Sequence, residues 1–559
     1  MISKLGPPLT ILLLAGPVLA GLAGTLLPAF GYLPALGGDT LSLAPFVELA
    51  AQPGIQRSAW MSYYTGLASA AISLVIVMLF VAAWAGTRSF ATIQHLVSPL
   101  LSVPHAAAAF GFAFLIAPSG VLSRLTSPWL TGWERPPDVI IVNDGAALSL
   151  IAGLVVKEVP FLLLVTLAAL PQVPVERTRK ITALLGYGRI AGFVYASWPQ
   201  IYRQIRLAVL AVIAFSASVV DVAAILGPTL PGTLAVRLAG WMNDPEISMR
   251  FLASAGAVLQ LGVAAVAILT WIVLEKAFGS GVQFLGQAGY SLRRDRWLRH
   301  AIWWLMALAA ALVFAGLGAL AIWSVAGLWQ FPNAMPDTLT LKSWMKAAPR
   351  IAGPLFTTFI VALIATAIAV ALATMCLVRE SATSRRATRF TLPLVYLPLV
   401  VPQVAFLFGL QLVFVLSGTV ASLPALIFVH LVFVLPYVFL SLSDPWRAFD
   451  TRYEAIAAGL GKSRTATLWR IRAPMLLRAI LTAAAVGFAV SIGQYLPTLL
   501  VGAGRLPTIT TEAVALASGG NRRVIGVYAF LQMLLPLAGF AVATLVPALL
   551  FRRFRAMRA

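Results

Sequence analysis

The sequence predicts an all-α polytopic membrane protein of about twelve spans, arranged as two parallel six-helix repeats. Three observations carry that expectation. The 559-residue chain is 60% hydrophobic and only 10% charged, with a mean hydropathy of +0.93, where a soluble globular domain carries about 25% charged residues. Its apolar runs are long and unbroken. Ala301 to Trp323, for example, contains no charge, and a helix needs about 20 such residues to cross a bilayer. Finally, a constant offset of 275 relates Leu185-Gly186 to Leu460-Gly461, Arg189 to Arg464, Pro199 to Pro474, Arg203 to Arg478 and Ile205 to Ile480.

These features exclude several classes. Disorder requires low hydrophobicity and high charge. A membrane β-barrel would show roughly 10-residue alternating segments instead of continuous apolar runs. The net charge of +22 would suggest nucleic acid in a soluble protein. In a membrane protein it is explained by basic residues filling the cytoplasmic loops, and no nucleic-acid partner is expected. The single cysteine, Cys376, permits neither an intramolecular disulfide nor a cysteine-based metal site. His95, His105, His300 and His430 have no metal-ligand spacing, so no metal site is expected.

In chain order, the apolar runs between polar breaks place the first six spans at 9–30, 61–85, 92–117, 143–171, 205–228 and 250–274. The first follows Lys4 and is long enough to span, so it is expected to remain as an uncleaved helix. The second six are placed at 301–325, 353–378, 391–417, 422–441, 477–501 and 524–551. With the N-terminus in the cytoplasm, the cytoplasmic segments hold 28 of the Lys and Arg residues and the outer segments 11. That asymmetry is a positive-inside signal and places both termini in the cytoplasm.

The halves are 1–290 and 301–559, joined by the basic stretch 291–300 (SLRRDRWLRH). Equal span numbers and equal polarity make this a parallel duplication about an axis along the membrane normal. Pro160 and Pro436 match at an offset of 276, and Pro104 and Pro402 occupy comparable places. The first half carries about 22 extra residues between Pro104 and Pro160, expected in the outer loop around 122–143.

The longest cytoplasmic connections, about 176–200 and 450–475, follow the fourth span of each half. In the second, Asp450 and Thr451 are suited to start a short helix, and Gly459 or Gly461 to end it. A second short helix, Thr465 to Arg472, leads to Pro474, and its Ala466, Leu468, Trp469 and Ile471 are too apolar for a purely solvated loop. A basic and partly apolar hairpin is expected to dock another protein.

This stretch resembles the EAA loop of permeases in binding-protein-dependent ABC importers. In that pattern a Gly stands six residues after the Glu of Glu-Ala-Ala, and an aliphatic residue and a Pro stand ten and thirteen after the Gly. Gly461, Ile471 and Pro474 fall on these positions, while Ala455 stands at the Glu position and Glu454 one residue earlier. The first copy keeps Gly186 and Pro199, with Lys180 at the Glu position and Ala196 at the aliphatic one. Phe193, opposite Leu468, is then expected to supply the apolar contact. The resemblance is nearest to fused double permeases such as those of thiamine and ferric-iron importers and their relatives. It implies a type I importer fold, two copies of an ABC ATPase seated on the two loops, a periplasmic or extracellular solute-binding protein, and a bacterial inner membrane. Thiamine, ferric iron, an oxyanion and a polyamine all remain open as substrates.

Gly459-Leu-Gly461-Lys462-Ser463 imitates the end of a phosphate-binding loop, but Ile456 stands where the first Gly of that motif belongs. The chain is therefore expected to bind no cofactor, with ATP used by partner subunits. Lys157 and Glu158 lie inside the fourth span, where charges must face protein or water. Adjacent helical residues point apart, so they are not expected simply to pair. Ser216 and Ser491 keep the offset of 275, with Asp221 and Gln494 nearby. These six residues are candidates to line or gate the path; the alternatives are a structural ion pair with other helices for Lys157 and Glu158, and hydrogen bonding between helices for the other four. The alternative class, an ion-coupled transporter of two six-span halves, has only Glu158 as an intramembrane carboxylate and leaves the paired loops unexplained. An enzyme has no recognisable nucleophile, base and orienting group.

Overall fold

The computed structural model describes residues 4–97, 100, 102–383 and 391–552. Positions 98, 99 and 101 of the third expected span lie outside the described residues, as do Arg385, Arg386, Arg389, Arg553, Arg555 and Arg558. Ten described helices are long and apolar enough to cross a bilayer, and two bent helix pairs raise the number to as many as twelve.

The first half comprises α1 (Gly6–Ala29), α2 (Ile55–Trp84), α3 (His105–Ile116), α4 (Leu148–Ala169), α5 (Val175–Leu184), α6 (Arg189–Ala196), α7 (Trp198–Ser218) and α8 (Met249–Gln287). The second comprises α9 (Arg296–Val325), α10 (Lys342–Thr383), α11 (Gln403–Leu416), α12 (Leu423–Arg447), α13 (Arg452–Gly459), α14 (Arg464–Thr467), α15 (Leu477–Ile492) and α16 (Arg522–Leu550). The helix α9 begins inside the expected junction, so the non-helical connection is 288–295.

Two spans run on past carboxylates that seemed to stop them and that prove to be paired. The helix α8 continues past Glu275, which accepts from Arg206 Nε at 2.9 Å and from the Tyr202 hydroxyl on α7. In the other half α10 continues past Glu380, which accepts from Arg447 Nε on α12 at 2.7 Å. A paired carboxylate no longer marks the edge of the helix.

Other expected spans are interrupted. The third span of the first half divides into Arg88–Val97 and α3, with Pro104 immediately before α3. Its counterpart divides into Thr391–Val400 and α11 at Pro402, with a bend of 91°. Proline disfavours helical backbone in the residue before it, which accounts for both breaks. The fifth spans end at Ser218 and Ile492, and each is followed by a short helix, Asp221–Leu226 or Leu496–Gly502. The connection between third and fourth spans is long in the first half (117–147) and short in the second (417–422), which is where the extra residues were expected.

The halves exchange their first helices. The helix α1 packs most extensively on α11 of the second half, and α9 on α3 of the first. Small residues permit the approach: Gly24 faces Gly409, and Gly111 faces Gly316. In lipid, where apolar surface gains nothing by leaving its surroundings, such close backbone packing is a principal source of helix association.

Candidate functional site

Two regions carry unusual chemistry: the helical loops after the fourth spans, and the broken helices inside the bundle.

Each loop is a helix, a glycine turn and a second helix. In the second loop Asp450 Oδ1 accepts from Arg452 N at 3.0 Å as α13 begins. The Arg452 guanidinium, hydrogen-bonded to Asp450, holds its carboxyl below the usual value. The helix α13 ends at Gly459, and Gly461 turns the chain with φ +72°; Gly186 does the same in the first loop with φ +81°. Both values lie where glycine alone is unstrained. Ser463 then caps α14, its Oγ accepting from Ala466 N at 3.2 Å. A π-helical turn, Leu468–Arg472, carries the chain to Pro474. Pro199 stands second in its helix, where a missing N–H costs nothing, and Pro474 follows directly on the π-helical turn.

Glu454 is turned inward. Its carboxylate accepts from Arg472 Nη1 at 2.8 Å, while Arg472 Nη2 donates to Trp446 O at 2.9 Å. The guanidinium also lies over the rings of Trp446 and Phe449, at 4.3 and 5.0 Å. Ala455 is exposed and Ile471 half-buried. Around the turn, Leu460 is 73% exposed, with Ile456 and Trp469 also bare. In the first loop Leu184 is 89% exposed, beside Ile181 and Leu185.

Phe193 departs from its expected role as an apolar contact for a partner. It is buried on the side of α6 that packs against α2 and α7, with its ring 6.5 Å from that of Trp198. The exposed apolar surface of the first loop comes instead from α5 and the turn. The reason is orientation: α6 is amphipathic and lays Ile190 and Phe193 on the membrane domain. Arg189 reaches Ala82 O (3.3 Å) and Ala85 O at the end of α2. Burial pushes its guanidinium down, with Arg179 and Arg299 nearby adding to the effect.

Inside the bundle, all six candidates from the sequence are buried. Lys157 and Glu158 each have a described partner on the third span. Lys157 Nζ donates to Leu100 O at 3.0 Å, within the interrupted third span. Glu158 lies 3.4 Å from His105 Nε2, at the start of α3. Ser216 and Ser491 stand just before the breaks of the fifth spans, Asp221 opens the short helix of the first half, and Gln494 lies in the gap of the second. Ser491 Oγ bonds His430 Nδ1 at 2.8 Å, and His430 Nε2 reaches Thr498 Oγ1 at 2.9 Å. Ser216 Oγ has no hydrogen-bond partner among the described residues.

Sequence reasoning missed three buried residues here. His430 was set aside for want of ligand spacing. Gln260 and Gln532 are fully buried on the sixth spans at matching places. Gln260 Nε2 donates to Ala217 O at 3.0 Å. Gln532 Nε2 donates to Thr510 Oγ1 at 2.8 Å, and that hydroxyl donates to Ile492 O. Each thereby serves carbonyls freed where a fifth span stops, a need that is absolute at membrane depth. A single amide in an otherwise apolar span was the available signal.

The chain has known relatives. Residues 376–557 match the family described as binding-protein-dependent transport system inner membrane component. The chain is 32% identical over 507 residues to the inner membrane ABC transporter permease protein YnjC of Escherichia coli (strain K12), covering 90% of this chain and 91% of that one. It is also 30% identical over 126 residues to the molybdenum transport system permease protein ModB of Mycobacterium bovis and of Mycobacterium tuberculosis, covering 20% of this chain and 48% of theirs. With likeness to YnjC running through both halves, the chain belongs to the inner-membrane permeases of binding-protein-dependent ABC transporters.

Proposed function

We propose that the chain supplies the whole membrane path of an ATP-driven importer and couples it to separate ATPase subunits through 176–200 and 450–475. The observation that carries this is the pair of helix–turn–helix loops, one per half, each with a left-handed glycine and at least one bare leucine at its tip. Exposed apolar side chains in a basic loop are suited to insertion in a cleft of a partner. One ATPase on each loop matches the duplication. ATP-driven closure of the ATPase pair would draw the loops together and reverse the access of the path between the halves. A solute-binding protein would deliver substrate at the opposite face. In this reading ATP is hydrolysed by the partner subunits, which fits a Gly-Lys-Ser segment lying between two helices and not after a strand. Both termini and both loops are assigned to the cytoplasm by the basic-residue asymmetry.

The interrupted third and fifth spans, with Glu158, Ser216, Asp221, Ser491 and Gln494 beside them, are assigned to the path, because discontinuous helices commonly build transporter binding sites. The test of the reading is co-purification of an ATP-hydrolysing subunit with the tagged permease, compared between the parent protein and Gly461→Asp. Loss of the subunit with Gly461→Asp is expected. Retention of the subunit and of ATP-driven uptake would overturn the reading.

A further inference from the structure

The two loops hold their shape by different means. In the second, Ser463 caps α14 with its own hydroxyl, and Glu454 ties α13 to Arg472. In the first, the residue equivalent to Ser463 is Gly188, which has no side chain to cap with, and Arg179 and Ser197 stand where Glu454 and Arg472 would. Neither device is available there. Uncapped N–H groups at a helix start need partners.

The connection between the halves supplies them. Asp295, buried although it lies in an otherwise basic stretch, accepts from Ile190 N in the first turn of α6 at 3.0 Å. Gly188 N donates to Ser291 O at 2.7 Å, and Arg293 Nε donates to Gly186 O at 3.1 Å, gripping the turn itself. The Tyr195 hydroxyl donates to Tyr290 O at 2.9 Å. Contact is so close that a Cβ on Gly188 would lie 2.0 Å from Leu292 O. The missing side chain is what lets the junction backbone lie against the loop.

We propose that the junction 290–295 is a positioning element for the first ATPase-docking loop, with Asp295 acting as a cap borrowed from outside the loop. The inference rests on the assignment of these loops to an ATPase. It gives the fusion of the two halves a role beyond tethering: the chain that joins them also shapes one of the two docking sites. The docking sites are therefore mechanically unequal, one self-supporting and one dependent on the junction.

The test uses the whole transporter, with Cys376→Ser as background and a benzophenone-maleimide label on Leu185→Cys or Leu460→Cys. The readout is the yield of photo-crosslinked adduct between permease and ATPase subunit. Loss of a helix cap corresponds to a change of about fivefold in the population of the ordered loop. Asp295→Ala is expected to lower the adduct from position 185 by about that factor and to leave position 460 unchanged. Asp295→Asn, whose side-chain oxygen still accepts from Ile190 N, is expected to restore the yield. Arg293→Ala removes only an exposed contact and is expected to give a smaller loss, again at 185 alone. An unchanged yield at 185 in both alanine variants overturns the proposal, and so does an equal loss at both positions. The absence of adduct from either position in the parent protein would overturn the docking assignment itself.

Discussion

Gly111 of α3 and Gly316 of α9 face each other so closely that a Cβ on Gly111 would lie 2.8 Å from the Gly316 backbone, and one on Gly316 would lie 2.9 Å from that of Gly111. The same crossing recurs between Gly24 and Gly409, where a Cβ on Gly24 would lie 2.8 Å from Gly409 O. Each crossing joins the first helix of one half to the third span of the other. Alanine at Gly111 or Gly316 must push the helices apart, at a cost on the order of 1–3 kcal/mol. Either substitution is expected to lower the thermal midpoint of the detergent-solubilised protein. Gly318→Ala, on α9 with open space around it, is the control and is expected to leave the midpoint within error. Equal midpoints for all three would show that the crossing tolerates a side chain.

Gly461→Asp is expected to abolish ATP-driven uptake in vesicles while the protein still inserts. The position is open, with nothing within 4 Å of an added Cβ, but φ is +72°. The strain costs on the order of 1 kcal/mol, and the new charge stands at the exposed tip proposed to meet the ATPase. Gly186→Asp is expected to be milder, because its Cβ would lie 3.1 Å from Arg293 Nη2, which can pair with the new carboxylate. Wild-type uptake for Gly461→Asp would show that the tip does not meet the ATPase.

Glu454→Ala leaves Arg472 buried without its carboxylate, though still bonded to Trp446 O. Loss of a charged hydrogen bond costs about 2 kcal/mol, and Glu454 is partly exposed, so a smaller effect is expected. The loop should become more sensitive to limited proteolysis between α13 and α14, with little change in the thermal midpoint of the membrane domain. Unchanged cleavage would show that the pair does not order the loop.

Lys157 and Glu158 are expected to separate by experiment. Lys157→Met leaves Leu100 O without its ammonium donor, and an unserved carbonyl costs about 1–3 kcal/mol. It should reduce the yield of folded protein. Glu158→Gln keeps the shape and loses the charge beside His105. It should reduce uptake at near-normal yield. Full uptake for Glu158→Gln would place the carboxylate outside the path.

Topology is tested by thiol labelling in a Cys376→Ser background. Cysteines replacing Arg293 and Arg464 are expected to resist a membrane-impermeant reagent in intact cells, and one replacing Asp337 is expected to react. The opposite pattern would reverse the orientation.

The sequence by itself determined the membrane class, the all-helical fold, the two parallel halves and the glycine turns of both loops. Each depends on short-range information: twenty apolar residues in a row, an offset kept by Arg189 and Arg464, a glycine between two helix-forming runs. The tertiary structure alone decided where the spans are interrupted and what serves the backbone there. Nothing local to Gln260, Gln532 or Lys157 announces that the carbonyls of Ala217, Ile492 and Leu100 need them. It also decided that Phe193 faces the core and that Asp295 caps a helix more than a hundred positions earlier in the chain. A hydrogen bond acts over about 3 Å in space whatever the separation in sequence, so partners brought together only by folding leave no periodicity to read.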